Sequence, residues 1–331
     1  MVEKACEKMV KYRLPLLLGA AVLVALLPFA FPSKYVIRIG TVCLMYIMIT
    51  LSLNLMVGYL GQMSFGHAAF MGIGAYTAAI LMTTCKLPFL LSFAAAGVVA
   101  GLFGLLLGLP VLKLKGYYFT IITMVFCEII RVVELNWMSL TRGPLGIMNI
   151  PKPEIFGFTV SSPIQFYFMM VVLVALSTLV VRNLMNSRVG NAILAIRDDE
   201  LAASAMGIPV FRYKMVVFVI SSMLVGLAGA FYATYTRYID PSSFSGTQSN
   251  EMLVMVIFGG LGNIVGSFIG AITLSVLPEL LGDLMQYRQL IYGVLLVLLM
   301  MLKPQGLLGD VNFKYIRQRM LQKRRGRHQD E

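Results

Sequence analysis

Charge is what this chain has least of. Asp, Glu, Lys and Arg make up 13% of its 331 residues, hydrophobic residues make up 59%, and the mean hydropathy is +0.83. Soluble domains sit nearer about 25% charged and about 45–50% apolar. A soluble fold of this length could bury a large core, but it would lack the polar side chains to coat itself. The excess must face lipid. Histidine is almost missing, with only His67 and His328. The four cysteines, Cys6, Cys43, Cys85 and Cys127, are scattered, mostly within apolar runs, with no metal-ligand or redox spacing. These shortages exclude a metal or haem centre held by protein ligands and a disulfide framework; the thiols read as packing groups. No Gly-Lys dipeptide occurs, so no Walker A loop can hold ATP phosphates. No nucleophile constellation points to a membrane enzyme.

What is present is a series of uncharged apolar stretches long enough to cross about 30 Å of hydrocarbon. They fall near 14–31, 36–57, 65–83, 89–112, 117–137, 163–181 and 212–233. A Gly-interrupted stretch at 251–281 and a short run at 289–302 hold either one conventional span plus re-entrant pieces or three short ones. The fold expected is an all-α, polytopic transmembrane helix bundle of about eight to ten spans, with glycine-rich broken or re-entrant segments. Lys4, Lys8, Lys11 and Arg13 precede the first span as they would a secretory signal. Its apolar stretch is long for a signal and no A-x-A-like site follows, so a retained helix is expected.

Alternating sides from that helix gives a test of orientation. Loops 1–13, 113–115, 182–214 and 303–331 hold nineteen Lys and Arg, the opposite loops seven, and Arg131 lies within a span. The basic side is expected to be cytoplasmic, with both termini on it. This divides the chain into a basic N-terminus (1–13), a transmembrane domain (14–302) and a basic tail (303–331). The net charge of +12 is thereby membrane topology rather than a nucleic-acid surface. The tail cluster Lys323-Arg324-Arg325-Gly326-Arg327 suits contact with anionic lipid.

Small residues recur four apart within spans: Gly97 and Gly101, Gly104 and Gly108, Ser222 with Gly226 and Ala230, and Gly262 with Gly266 and Gly270. Helices in lipid associate through close backbone approach, which small residues allow. Two segments go further. Gly58-Tyr59-Leu60-Gly61-Gln62 and Gly259-Gly260-Leu261-Gly262-Asn263 share the pattern Gly-x-Leu-Gly-amide. Paired glycine-interrupted segments in the two halves of a transporter point to broken helices and a substrate path. Gly61, Gln62, Ser64, Gly66, His67, Gly262 and Asn263 are therefore candidates to line it. Gln62, Ser64 and His67 either receive a small zwitterionic or amide substrate or bond to neighbouring helices. Glu128, Arg131 and Glu134 follow at three-residue steps on one span, expected on one helical face. Glu128 is about 18 Å along that helix, near mid-membrane. It lines the path, or the three form an internal Glu–Arg–Glu pairing that fixes packing.

The segment 187–209 is too polar to span. A short helix is expected from about Gly190 to Ile196, then a second one capped by Asp198, with Asp199 and Glu200 in its first turn. Gly207 suits a left-handed C-terminal cap and Pro209 forbids continuation. Val189, Ile193 and Leu201 are then apolar groups in need of a partner surface. A helix flat on the membrane is disfavoured by the acidic run 198–200, because the cytoplasmic leaflet is negative.

Glu200-Leu201-Ala202-Ala203 with Gly207 resembles the EAA loop of prokaryotic ABC importer permeases. The stretch from Tyr59 to Tyr76 is similar to the early segment of LivM-type permeases of the branched-chain amino acid ABC transporter family. So are Leu114 to Arg131, Gly143-Pro144-Leu145-Gly146-Ile147, Phe258 to Gly266 and Lys303 to Leu308. The resemblance runs from about 36 to 309 in the family's order. One departure is Thr141-Arg142-Gly143, where a second glycine is expected before Gly143, in the outer loop 138–162.

The resemblance implies an inner-membrane permease subunit for leucine, isoleucine and valine, or for urea, short amides or other amino acids. It implies a heterodimer with a second related permease, two cytoplasmic ATPases and a periplasmic binding protein. ATP and Mg are then used by the ATPases, with no cofactor on this chain. Gly190, Arg197, Asp199, Glu200, Ala202, Ala203 and Gly207 become the candidate ATPase-coupling residues. A secondary transporter or channel, which needs no coupling loop, is the alternative of another class.

Overall fold

The computed structural model describes residues 33–114, 116–155, 157–281, 287–303, 306 and 307. The expected first span, the basic N-terminus, Cys6, His328 and nearly all of the basic tail lie outside the described residues. Twelve α-helices are present among the described residues. In chain order they are α1 (Lys34–Asn54), α2 (His67–Thr83), α3 (Phe89–Val111), α4 (Tyr117–Asn136), α5 (Met138–Thr141) and α6 (Pro163–Asn186). They continue with α7 (Arg188–Asp198), α8 (Glu200–Ala205), α9 (Val210–Thr236), α10 (Gly246–Gly259), α11 (Ile264–Leu281) and α12 (Arg288–Leu302).

By length and composition, four of the described segments can cross a membrane: α1 with its π-helical extension to Tyr59, α3, α6 and α9. Helix α2, Ile264–Glu279 and Gln289–Leu302 are shorter apolar helices. Helix α4 has the length but carries three charged residues, Glu128, Arg131 and Glu134. The stretch from 251 onward resolves as three short helices, the second of the two alternatives left open by its sequence.

Helix α9 runs through the middle, packed between α2 and α3, while α1 packs on α6 and α11. The small residues are what let them meet. On α3, Gly97 faces Leu227, Gly101 faces Met223, and Gly104 faces Ser222. A Cβ on Gly226 would sit 2.3 Å from that of Ala100. One on Gly74 would fall 2.1 Å from the Gly226 carbonyl oxygen, so neither site accepts alanine without a shift. Local signals place the ends: Pro163 opens α6 behind a capping box in which Gln165 Oε1 accepts the Ser162 N–H at 3.0 Å.

The all-α expectation holds, and the loop 138–162 adds only two-residue strand pairings to it. Ile147–Met148 (β1) pairs antiparallel with Tyr238–Ile239 (β4), and Glu154–Ile155 (β2) pairs with Phe158–Thr159 (β3). The Arg237 guanidinium donates from Nε to the Ile150 carbonyl at 3.2 Å, pinning the loop across the end of α9.

Arg142, the departure from the family pattern, is in the left-handed region with φ 63° and ψ 14°. A glycine there would be unstrained, whereas an L side chain costs about 1–2 kcal/mol. Arg142→Gly is therefore expected to stabilise the protein by about 0.5–1 kcal/mol, after subtracting glycine's extra unfolded-state entropy. Thermal unfolding of the detergent-purified protein reads this out as a raised Tm. A lowered Tm would mean that the exposed arginine side chain makes stabilising contacts that outweigh the strain.

Candidate functional site

The two Gly-x-Leu-Gly-amide segments meet. Helix α1 ends in a π turn at Leu55–Tyr59, and Gly61 takes φ 77°; in the second segment Gly262, at the matching position, takes φ 71°. Both are left-handed turns that need glycine. Gly58 packs on Gly262 so tightly that a Cβ on Gly58 would lie 2.1 Å from the Gly262 nitrogen. Asn54, on the last turn of α1, joins the two. Its Oδ1 accepts the Gly262 N–H at 2.9 Å, and its Nδ2 donates to the Asn263 carbonyl at 3.0 Å and to Ser267 Oγ at 2.8 Å. Asn263 Oδ1 in turn accepts the Val265 N–H at the start of α11. Gly306 closes on Gly260, and the Leu307 N–H donates to the Phe258 carbonyl at 3.1 Å.

Arg197, at the end of α7, clamps this junction. Its Nη1 donates to the Gly58 carbonyl at 3.0 Å, its Cγ lies against Gly61, and its Nη1 faces Gly262. The structure thus brings Gly61, Gly262 and Asn263 together with Arg197 at the end of the bundle where α7 lies. The sequence separated these residues into two candidate groups; their contact is visible only in three dimensions. Asn54, which carries most of the polar bonds, was missed: a lone amide in an apolar run was its only signal.

Beyond Gly61 the chain stays non-helical to Gly66 and restarts at His67. Irregular backbone at membrane depth must be satisfied by protein or by water in a cavity. Here Phe65 N–H donates to Thr123 Oγ1 and Thr120 Oγ1 donates to the Met63 carbonyl, so α4 receives the bend. Ser64 Oγ is 3.1 Å from His67 Nδ1, and His67 Nε2 is 2.7 Å from Ser221 Oγ on α9. Ser221 Oγ also donates to the Ser52 carbonyl at 2.8 Å. Both ring nitrogens of the fully buried His67 are therefore engaged with neighbours. Gln62 differs: its Oε1 is buried with no hydrogen-bond partner among the described residues.

On α4 the expected Glu–Arg–Glu pairing is split. Arg131 Nε meets Glu128 Oε2 at 2.8 Å, and Glu128 Oε1 accepts the Gly246 N–H at 3.4 Å, at the start of α10. Glu134 turns inward instead and is buried. The reason is angular: each three-residue step falls about 60° short of a full turn, so six residues drift about 120° around the helix. Glu128 and Arg131 stay half-exposed on a face that also shows Met124, Val125, Ile129 and Val132.

The polar segment folds as two helices. Ser187 caps α7, accepting the Gly190 N–H, and Gly190 lies against the Met185 carbonyl, where a Cβ would be 2.3 Å away. The second cap is Asp199 rather than Asp198: its Oδ1 accepts the Leu201 and Ala202 N–H groups at 2.9 and 3.0 Å. Asp198 is the last residue of α7, because α7 runs two residues beyond the expected end. Gly207, with φ 80°, closes α8 with Ile208 N–H to Ala203 carbonyl and Gly207 N–H to Ser204 carbonyl bonds. Glu200 Oε2 accepts from Lys214 Nζ at 2.8 Å; this lysine is 2% exposed on α9. Ile193 and Ala203 face the bundle and Val189 is half-buried, so the unpartnered apolar surface is narrower than expected: Leu201 with Ala202 and Met206.

Apolar helices joined through glycine contacts, with internally satisfied breaks in two of them, define a multi-pass integral membrane protein whose polar helix pair grips the breaks. The chain belongs to the family described as branched-chain amino acid transport system / permease component, whose model matches residues 35–302. It is 36% identical to the high-affinity branched-chain amino acid transport system permease protein LivM of Escherichia coli K12, over 90% of this chain and 78% of that protein. It is also 36% identical to LivM of Salmonella typhimurium, over 83% and 70%. To the high-affinity branched-chain amino acid transport system permease protein LivH of E. coli K12 it is 24% identical, over 80% and 91%. No solved structure matches. The relatives are transport permeases, in keeping with a transport subunit rather than an enzyme.

Proposed function

We propose that this chain is the membrane-spanning permease subunit of an ATP-driven importer moving leucine, isoleucine and valine across the inner membrane, with both termini in the cytoplasm. It pairs with a second, related permease, two ATPases that bind ATP and Mg, and a periplasmic binding protein. Similarity to both LivM and LivH supports the paired permease. The observation that carries the reading is the contact of Arg197 with Gly58, Gly61 and Gly262. The helix pair exposing Leu201 and Met206 to an ATPase is the same unit that holds both membrane breaks. ATP-driven movement of α7 and α8 would reach α1, α10 and α11 directly. For this to drive transport, the ATPases must favour one arrangement of that junction over another.

The half-exposed Glu128–Arg131 pair supports a second element of the reading. Ionisable groups near mid-membrane face protein or water rather than lipid, so this face of α4 borders the second permease or the path. Glu128→Gln is expected to spare assembly and lower uptake severalfold. Normal uptake would remove Glu128 from the path.

The test of function is uptake of radiolabelled leucine and urea in cells lacking the gene, with the chain restored. Rescue of leucine uptake alone is the expected result. Rescue of urea alone would keep the machine and change its cargo, and rescue of neither would refute the assignment.

A further inference from the structure

We propose that Glu134 and Tyr76 form a binding site for the α-ammonium group of the transported amino acid, at the end of the bundle opposite the α7–α8 pair. The inference rests on the importer reading and deepens it by naming the group that is recognised.

The site is defined by polar atoms left over. Glu134 and Tyr76 are each 4% exposed. Neither carboxylate oxygen of Glu134, nor the Tyr76 hydroxyl, has a hydrogen-bond partner among the described residues. Buried polar groups are nearly always paired, so orphans ask for a missing partner. These orphans are also neighbours. Glu134 Oε1 lies over Gly72, where a Cβ would be 2.5 Å from it, and Tyr76 is one turn further along α2. Arg131, the nearest cation on α4, is occupied by Glu128.

The surroundings suit a cation. Phe244 lies beside Gly72, its ring centroid 6.0 Å from that of Tyr76 and also 6.0 Å from that of Tyr232. A primary ammonium has three N–H donors, and two carboxylate oxygens with one phenol oxygen supply three acceptors. Its charge balances the carboxylate, and aromatic faces attract it further. A urea or short amide offers N–H groups without the charge, and leaves a buried carboxylate uncompensated. The site therefore selects amino acids from neutral amides whatever their side chain.

A cover is built in. The turn Pro241–Phe244, between β4 and α10, closes over the carboxylate, and its last residue is the Phe244 of the aromatic cluster. Asp240 anchors that turn by accepting from the Ser242 and Ser243 hydroxyls. Helix α10 follows directly, tied through Gly246 to Glu128. Movement of α10, whose far end forms the glycine junction, would lift this cover.

The test uses the complete transporter reconstituted in liposomes, with labelled leucine. Glu134→Gln keeps the size and removes the charge, and is expected to slow uptake at least twentyfold at equal protein level. Glu134→Asp is expected to retain part of the rate, and Tyr76→Phe to slow it three- to fivefold. Wild-type rates in Glu134→Gln would overturn the proposal and make Glu134 a neutral packing group. If that variant fails to accumulate, Tyr76→Phe decides, and an unchanged rate overturns the proposal equally. A wild-type complex that carries urea but no amino acid would refute the reading beneath it as well.

Discussion

Replacing Arg197 by alanine is expected to cut leucine uptake by more than tenfold while the subunit still assembles. The carboxylate neighbour of Arg197, Asp198, is 72% exposed, so the loss of the guanidinium leaves no buried charge behind. Its Nη1 bond to the Gly58 carbonyl contributes on the order of 1.5–3 kcal/mol as a hydrogen bond from a charged donor. That is too little to unfold a bundle whose helices meet through backbone contacts along their whole length. It is enough to free the glycine junction from α7. Arg197→Lys is expected to recover only part of the rate, because lysine keeps the stem against Gly61 but lacks the planar fork whose Nη1 reaches the Gly58 carbonyl and faces Gly262. Uptake assays beside membrane immunoblots measure both effects.

Glu200→Gln is expected to destabilise the protein by about 3 kcal/mol, because it strands the Lys214 ammonium inside the bundle. Lys214→Met is expected to cost less, since Glu200 is 36% exposed and can turn to water. The double variant should be more stable than Glu200→Gln alone, which a thermal-unfolding cycle on purified protein would show as a coupling of about 1–3 kcal/mol. Additive losses would mean that the 2.8 Å contact carries no energy. A charge reversal at Glu200 would remove this internal ion pair together with any ATPase contact, whereas Leu201 and Met206 are exposed and carry no such pair.

The parts of the fold that were legible in the sequence are those where one residue type has no substitute. Gly61, Gly262 and Gly207 mark left-handed turns because other side chains are strained there. The spacing of Gly97, Gly101, Gly104 and Gly108, in steps of four, three and four, reported a helix face pressed on α9. Features set by tertiary contact were not legible. Asp198 and Asp199 are equally good caps by type, and where α7 stops decides between them. Ile193 sits in a polar loop by composition, yet α7 lies back on the bundle and buries it completely. Lys214 counted as one more basic loop residue until its partner was known. Strands of two residues, such as Ile147–Met148, are too short to show alternation. Glu134 was read with Arg131 because three-residue steps look like one face over a single turn and drift off it over two.

The central claim is that α7, through Arg197, passes ATPase movement to the glycine junction of α1 and α10. Its most direct measurement is the ratio of ATP hydrolysed to leucine accumulated by the complete transporter in liposomes, for the wild type and Arg197→Ala. The account predicts that the variant goes on hydrolysing ATP while leucine accumulation falls more than tenfold, so the ratio rises steeply. An unchanged ratio, whether both rates persist or both fall together, would contradict it.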